Sequence, residues 1–236
     1  MELNNSLEGA VYTINFSYKA FKKYPLDIMY HLVYNSNMTN KAASRGRPKA
    51  FDEQEVLTAA MHYFWEHGYD NASLDNLLLA MGIKKSSFYA TFKSKEEIFS
   101  STLELYREQN IAFLRELKNE IGAKKAMFTL TELTLKELKE TGKVRGCLLI
   151  NSGKECYNKY DDLSHQIKED FNYILKLFIE LTQEAQEKGE IRSSKEAKLI
   201  AGRYMNGLNG LIVTIQAGAS EELINDLVES LKEILE

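Results

Sequence analysis

Residues 51–99 decide the fold, and they read FDEQEVLTAAMHYFWEHGYDNASLDNLLLAMGIKKSSFYATFKSKEEIF. Asp52 is followed three residues later by Glu55, which is the spacing of a capping box at the start of a helix. Apolar residues then recur at helical intervals until Gly68, a residue type suited to the left-handed conformation that ends a helix. The pattern predicts an amphipathic helix over this first part.

Three further helices are predicted in the same stretch. Ser73 caps the second helix, which ends at Gly82, and a short third helix runs from Lys84 to about Tyr89. A fourth helix opens near Ser94. Two short helices joined by a turn centred on glycine are typical of a helix-turn-helix motif, whose second helix projects from the body.

The third helix has side chains suited to a DNA groove. Ile83 and Phe88 are expected to face inward, and the positions expected to be exposed hold small polar or basic residues. A helix that enters the major groove needs short polar side chains near its N-terminal end and cations close to phosphates. The spacing alone also fits any small three-helix domain, but these side chains favour DNA binding. The candidate contact residues are Lys84, Lys85, Ser86, Ser87 and Thr91.

In this combination, the stretch resembles the DNA-binding domain of the TetR (tetracycline-repressor-like) family of bacterial transcriptional regulators. The resemblance rests on the alanine-rich first helix, on Gly68 beside an aromatic residue, on Gly82, and on the closing sequence YATFKSKE at residues 89–96. It covers about a fifth of the chain. It implies an all-α protein, with an N-terminal three-helix helix-turn-helix domain and a C-terminal helical domain for ligand binding and dimerisation.

The resemblance also implies roles for individual residues. Ser73 would donate a hydrogen bond to a DNA phosphate, and the third helix would meet base edges or adjacent phosphates. Tyr89 and Lys95 would clamp the DNA backbone, with Lys95 near the N-terminus of the fourth helix, where the helix dipole favours an anion. One departure is Ser86, where many members of the family have glycine, so the approach to the bases would differ slightly.

A basic arm precedes the helices. Arg45, Arg47 and Lys49 belong to the run RGRPK, which contains no acidic residue. Arg-Gly-Arg-Pro resembles the hook with which architectural DNA proteins enter narrow, A·T-rich minor grooves, where negative potential is concentrated. A merely solvated basic tail is the alternative, but the position directly before a helix-turn-helix favours groove contact.

The domain organisation follows from these signals. Residues 1–37 are rich in aromatics and lack a sustained helical period, so they are either a real extension or an upstream artefact of the gene model with Met38 as the true start; we favour the artefact. Residues 38–51 form the basic arm and residues 52–98 the helix-turn-helix domain. Residues 99–236 form the helical domain for effector binding and dimerisation.

The larger C-terminal part is predicted to be helical throughout. The fourth helix continues to Ile121, and a further apolar period covers Phe128–Leu138. A long amphipathic helix is predicted over Tyr157–Glu187, and a final pair over Ala197–Ala217 and Glu221–Leu235.

The final pair is strongly apolar and contains glycines that allow close approach of helices. In the family it resembles, the last two helices of two subunits pack as a four-helix bundle. A homodimer is therefore expected, binding a near-palindromic operator whose half-sites lie about 34–36 Å apart. The expected interface residues are Leu208, Leu211, Ile212, Ile215, Leu227 and Leu231.

The family's middle helices usually enclose a ligand pocket, and here they would take a small, apolar or aromatic effector. The alternative for each aromatic residue is ordinary core packing. The candidate lining residues are Phe128, Cys147, Tyr157, Phe171, Tyr173, Phe178 and Tyr204.

The segment RGCLLIN at residues 145–151 resembles one found in a branch of the family, some of whose members sense oxidants or electrophiles through a cysteine. A sensing Cys147 would need a lowered pKa, which Arg145 and Lys143 would favour through their positive charge. The other interpretation, which we favour, is a small buried residue that starts a helix.

Other classes of protein lack support in the sequence. The net charge of −4 argues against nonspecific coating of nucleic acid. The chain has no nucleophile elbow, phosphate loop, dinucleotide-binding glycine pattern or CxxC pair, so we expect no enzyme, no metal site and no cofactor. A helical binding or scaffold protein without DNA activity remains the main alternative.

A membrane protein and a secreted protein are also disfavoured. The longest uncharged stretch, residues 204–220, contains asparagines, a glutamine and three glycines, which makes it a poor membrane span. The first residues do not form a signal peptide, so the expected location is the cytoplasm.

Overall fold

The computed structural model describes residues 52–236, and within that range the chain forms nine helices. The predicted basic arm and the segment upstream of it lie outside the described residues. The all-α fold is confirmed for the part that is described. The helices are α1 (Glu53–His67), α2 (Leu74–Met81), α3 (Lys85–Thr91), α4 (Lys95–Ile121), α5 (Ala123–Thr141), α6 (Leu148–Cys156), α7 (Asp161–Glu187), α8 (Ala197–Gln216) and α9 (Glu221–Ile234).

Side-chain caps start the helices where the sequence placed them. The Asp52 carboxylate accepts a hydrogen bond from the backbone N–H of Gln54 at 2.9 Å, which caps α1. Ser73 caps α2 and Ser94 caps α4 in the same way. Gly82 ends α2 in the left-handed conformation, with φ of 65°, which confirms the tight turn before α3.

Helices α1 to α3 and the loops between them form a small head. The rings of Phe64 on α1 and Phe99 on α4 meet edge to face, with centroids 4.8 Å apart, in the centre of this head. Helix α4 then continues out of the head, and its later residues Leu114 and Leu117 are buried in the rest of the protein. One continuous helix therefore joins the head to the body, which comprises α5 to α9.

The body is organised around α7, which packs against α4, α5, α6 and α8, and α9 covers α8. A buried polar network fixes α8 against α5. The Tyr204 hydroxyl lies 2.7 Å from the Thr131 hydroxyl and donates to the carbonyl of Met127 at 2.9 Å. Among the described helices, none has the length and apolar character that crossing a bilayer requires.

The predicted helix over Tyr157–Glu187 is wrong at its start. The chain breaks after α6 and resumes helical structure only at Asp161, because Asn158 adopts φ of 59° and Tyr160 is extended. Asparagine is one of the few residues with a side chain that tolerates the left-handed region. The apolar period of a sequence does not report such a turn, so the helix was predicted to start at Tyr157 instead of Asp161.

Glu132 of α5 is a half-buried carboxyl in the body. Its Oε2 is buried and accepts no hydrogen bond from the described residues. Burial raises the pKa of Glu132 to about 7, against weaker opposing effects of Lys232 and Lys125. An acid with a raised pKa binds more protons in the folded than in the unfolded chain, so its contribution to the free energy of unfolding falls as the pH rises from about 4.5 to about 7.

Glu132→Gln is therefore expected to raise the free energy of unfolding at pH 8 by about 1–2 kcal/mol, a value discounted for the partial exposure of the carboxyl. Most of this gain should disappear at pH 5. Urea titrations at the two pH values measure it. Glu169→Gln, on the exposed side of α7, is the control and should change little at either pH. An equal gain for Glu132→Gln at both pH values would contradict burial as its source.

Candidate nucleic-acid interface

Helix α3 is attached to the head by two phenylalanines. Phe88 is fully buried, and Phe92 directly after the helix is also buried, with 5.7 Å between the two ring centroids. Ile83 is half-buried and packs against the same core. The prediction that Ile83 and Phe88 face inward is confirmed. These anchors fix which side of α3 is left for solvent.

The outer side of α3 is polar and basic. The helix contains no acidic residue, so its lysines have no neutralising partner within it. Tyr89 is 53% exposed although its ring meets that of Phe88 edge to face. Among the other predicted contact residues, Ser87 and Thr91 are half-buried, and the exposed ones are Lys84, Lys85 and Ser86. The arrangement offers hydroxyls and ammonium groups to a ligand outside the head.

Ser73 lies at the start of α2 and is exposed. Its hydroxyl oxygen accepts a hydrogen bond from the N–H of Asn76 at 3.3 Å, and a hydroxyl that accepts still has its own hydrogen to donate. The cap therefore orients the Ser73 side chain and is compatible with a contact to a phosphate.

Lys95 has partners within the head that the resemblance did not imply. Its ammonium group donates to the carbonyls of Tyr69 and Ala72, at 2.9 and 3.0 Å, and lies 4.3 Å from the centroid of the Tyr69 ring. The side chain is half-buried against the α1–α2 loop. Lys95 thus holds this loop, because its ammonium group binds two carbonyls and an aromatic face of the loop.

The candidate effector residues differ widely in burial. Tyr157 and Tyr173 are 71% and 56% exposed, so they face solvent. Phe178 and Tyr204 are core residues on facing helices. Two clefts in the described part of the chain, of 270 and 170 Å³, are lined by none of the seven. The half-buried members of the set are Phe128, Cys147 and Phe171.

Cys147 occupies the cap position before α6, which agrees with the interpretation that it starts a helix. Its sulfur lies 3.6 Å from the Tyr106 hydroxyl, and the side chain is half-buried. The other cysteine, Cys156, is fully buried, and burial raises the pKa of its thiol to about 11. That thiol remains protonated near neutral pH.

Most of the predicted dimer-interface residues are covered within the subunit itself. Ile212 packs towards Gly146, and Leu231 approaches Gly207 on the neighbouring helix. Only Leu227 is half-buried. The members that the subunit itself buries are Leu208, Leu211, Ile212, Ile215 and Leu231.

A different side of α8 is open. Leu199 and Val213 are each 43% exposed, and the intervening Asn206 is exposed as well. A side chain added at Gly202 or Gly210 would meet nothing within 4 Å. We call these residues the outer face of α8. On α9, Leu223 is 44% exposed.

The contacts between head and body, called the seam below, were not predicted from the sequence. Trp65 of α1 donates from Nε1 to the carbonyl of Gly146 at 3.0 Å, and the Arg145 guanidinium lies 4.9 Å from the centroid of its ring. These partners are about eighty positions apart, beyond any local pattern. The one available signal was that Trp65 is the single tryptophan of the chain.

Comparisons with known proteins agree with this geometry. Residues 56–102 match the model of the family described as bacterial regulatory proteins, tetR family. The chain is 28% identical to the HTH-type transcriptional repressor ComR of Escherichia coli, over 76% of this chain and 86% of that protein. It is also 28% identical to YezE of Bacillus subtilis, an uncharacterized HTH-type transcriptional regulator, over 68% of this chain and 84% of that one.

A solved structure supports the same assignment. A cysteine mutant of the TetR family transcriptional regulator CifR, complexed with 26-base-pair double-strand operator DNA, superimposes with a TM-score of 0.65 at 26% identity. The match covers 80% of this chain and 98% of that one. The relatives are regulators of transcription and not enzymes. The helix-turn-helix of this chain matches the DNA-binding region of the tetR family, and the chain as a whole is similar to transcriptional regulators of that family.

Proposed function

We propose that the protein is a ligand-responsive repressor that binds a near-palindromic operator as a homodimer in the cytoplasm. In this proposal the arm at residues 38–51 and the head at residues 52–98 contact DNA, and residues 99–236 dimerise and bind the effector. Repression is favoured by the name of ComR, a transcriptional repressor, and operator binding by the complex of CifR with its DNA.

The observation that carries the proposal is the two-sided character of α3. Phe88 anchors its inner side in the core, while Lys84, Lys85 and Ser86 stay exposed on its outer side. A short helix with a basic, hydroxyl-bearing outer side is suited to a major groove, where hydroxyls reach base edges and ammonium groups reach phosphates. In this proposal Tyr89 and Ser73 contact the DNA backbone beside it.

The dimer is proposed to form through the outer face of α8 together with Leu223 of α9. Exposed apolar residues at helical spacing and two glycines without neighbours let a second helix approach closely. A second copy is the occupant because an operator reader of this kind uses paired recognition helices about 34–36 Å apart. A twofold contact of one face with itself would provide that pairing.

Val213→Asp is expected to convert the dimer to a monomer at micromolar concentration, because it places a charge within the apolar contact. Light scattering gives the mass in solution. Gln183→Asp, on the exposed side of α7, is the matched control and should leave the dimer intact. A Val213→Asp protein that remains dimeric would assign the interface to another surface.

A ligand response is proposed because α4 is one helix from head to body, so a rearrangement of the body moves the head. An effector would act by binding unequally to the two arrangements. A small apolar or aromatic molecule remains the proposed class. Phe128 and Phe171 are the aromatic candidates that are neither core residues nor fully exposed.

The test is a mobility-shift assay with the promoter DNA that flanks the protein's own gene, at two salt concentrations and with unrelated competitor DNA. We expect a complex that survives competitor and weakens steeply with salt, since phosphate contacts release counterions. Binding that competitor removes equally well, or no binding, would instead favour a helical binding protein without operator activity.

A further inference from the structure

The α1–α2 loop, residues 68–73, is bound by the body at a carboxylate. Glu155, near the end of α6, accepts a hydrogen bond at Oε2 from the N–H of Tyr69 at 2.8 Å and at Oε1 from the N–H of Asp70 at 2.7 Å. Hydrogen bonds to an ionised acceptor are about twice as strong as neutral ones. One side chain of the body therefore holds two successive amides of the head.

Gly68 allows the Glu155 carboxylate to come this close to the loop. Its φ of 78° lies in the left-handed region, and a Cβ at this position would come within 2.9 Å of Oε1 of Glu155. A side chain here would be strained and would also displace the carboxylate. The glycine that ends α1 thus also clears the space that Glu155 occupies.

The turn that follows α6 also binds this loop, through Asp70. Asp70 accepts hydrogen bonds from the ammonium group of Lys159 at 2.8 Å and from the hydroxyl of Tyr160 at 2.6 Å. These contacts lower the pKa of Asp70, the hydrogen bond from Lys159 contributing most. The ring of Tyr160 also meets that of Tyr69 edge to face, with centroids 5.0 Å apart. The left-handed turn at Asn158 places both donors next to the loop.

The opposite edge of the loop is bound from the head side. Lys95 donates to the carbonyls of Tyr69 and Ala72, directly before Ser73 and α2. The loop is therefore held at its N–H groups by Glu155 and at its carbonyls by Lys95. Because α2 starts from this loop and α3 follows α2 after a tight turn, the loop sets where α3 lies relative to the body.

We propose that Glu155 is a positioning residue for DNA recognition: it fixes the orientation of the head on the body and so the separation of the two recognition helices in a dimer. The inference rests on the proposed operator binding by a homodimer. It assigns to α6 a role in operator binding, although Glu155 itself touches no DNA in the proposal.

The test compares the wild type with Glu155→Gln and Glu155→Ala in the full chain. Glu66→Gln, on the exposed surface of α1, is the control that removes one negative charge from the head without touching the loop. The first measurement is hydrogen exchange of the amides of Tyr69 and Asp70. We expect both Glu155 variants to exchange about tenfold faster there, with the control unchanged.

The second measurement uses two DNAs: the operator, mapped by footprinting, and the same operator with one base pair inserted between its half-sites. The quantity compared among variants is the affinity for the first DNA divided by the affinity for the second. The insertion moves one half-site by about 3.4 Å and rotates it by about 35°. The wild type should discriminate strongly, and Glu155→Gln should narrow the ratio about tenfold because its heads adapt to the wrong spacing. A general loss of stability would weaken both complexes equally and leave the ratio unchanged.

The outcomes separate the two proposals. Unchanged exchange in Glu155→Gln would overturn the role of Glu155 in holding the loop. Faster exchange with an unchanged affinity ratio would overturn the positioning role and leave the proposed function intact. A wild type that binds no promoter DNA would contradict the proposed function and the positioning role with it, while the exchange result would still report whether Glu155 holds the loop.

Discussion

Arg107→Ala is expected to lower the free energy of unfolding by about 3 kcal/mol, because it leaves a buried carboxylate without its charged partner. Asp170 on α7 is only 1% exposed, and it accepts a hydrogen bond from the Arg107 guanidinium of α4. Glu104 also accepts from the same guanidinium at 3.1 Å, but that pair is on the surface and contributes little. Most of the expected decrease in the free energy of unfolding therefore comes from the unpaired Asp170 carboxylate.

The pH dependence of this loss has a definite sign. Burial raises the pKa of Asp170, and the hydrogen bond from Arg107 opposes this rise. Without Arg107 the pKa of Asp170 rises further. The folded variant then keeps a proton on Asp170 at pH values where the unfolded chain has released it. The free energy of unfolding of the variant therefore falls as the pH rises. The variant should lose less stability at pH 5 than at pH 8.

Urea denaturation of the wild type and the variant at both pH values measures the effect. Arg115→Ala, an exposed position on the same helix, is the matched control and should change the free energy of unfolding by less than about 0.5 kcal/mol. The double variant Arg107→Met with Asp170→Leu should recover most of the loss, since an apolar pair of similar size removes the buried charge. A loss in Arg107→Ala no larger than that of the control would show that Asp170 does not depend on Arg107.

Local features of the fold could be predicted from the sequence because their causes are local. The caps at Asp52, Ser73 and Ser94, and the turn at Gly82, each depend on residues within four positions of one another. The buried side of α3 follows from the spacing of Ile83 and Phe88 in the same way. Helix α3 and its exposed residues Lys84, Lys85 and Ser86 were therefore predictable, whereas Ser87 and Thr91 are half-buried.

The surfaces of the body were not predictable because they depend on which side of a helix is already covered. Helix α8 has apolar residues on more than one side, so the apolar positions alone do not say which side is free. The structure covers the side with Leu211 and Ile215 and leaves the side with Leu199 and Val213 open. Tyr157 was predicted to line a pocket, but it lies on an exposed turn. Because a tyrosine has both an apolar ring and a polar hydroxyl, its residue type is compatible with either place.

The seam was missed for a further reason, since its partners are far apart in the chain. Glu155 and the amides that it accepts from are separated by 85 and 86 positions. A glutamate near the end of an amphipathic helix looks like any solvated charge. The partners of Lys95 were missed in the same way, because the carbonyls that bind it belong to a loop 23 and 26 positions earlier.

Replacing both lysines at the start of α3, in Lys84→Ala with Lys85→Ala, is expected to reduce affinity for the operator about a hundredfold at moderate salt. Each lysine is exposed at the end of the helix that would enter the groove, and each lost contact to a phosphate weakens binding regardless of sequence. The pair lies outside the core anchored by Phe88, so folding should be unaffected, which thermal unfolding checks.

The most direct test is the salt dependence of operator affinity, measured for this α3 variant, the wild type and a control. The control is Lys139→Ala with Lys143→Ala, which removes two exposed lysines from the body. A plot of log affinity against log salt concentration should be shallower than that of the wild type by about two units for the α3 variant and unchanged for the control. Equal slopes for the α3 variant and the wild type, or the same loss in the control, would contradict the assignment of α3 as the DNA-reading helix.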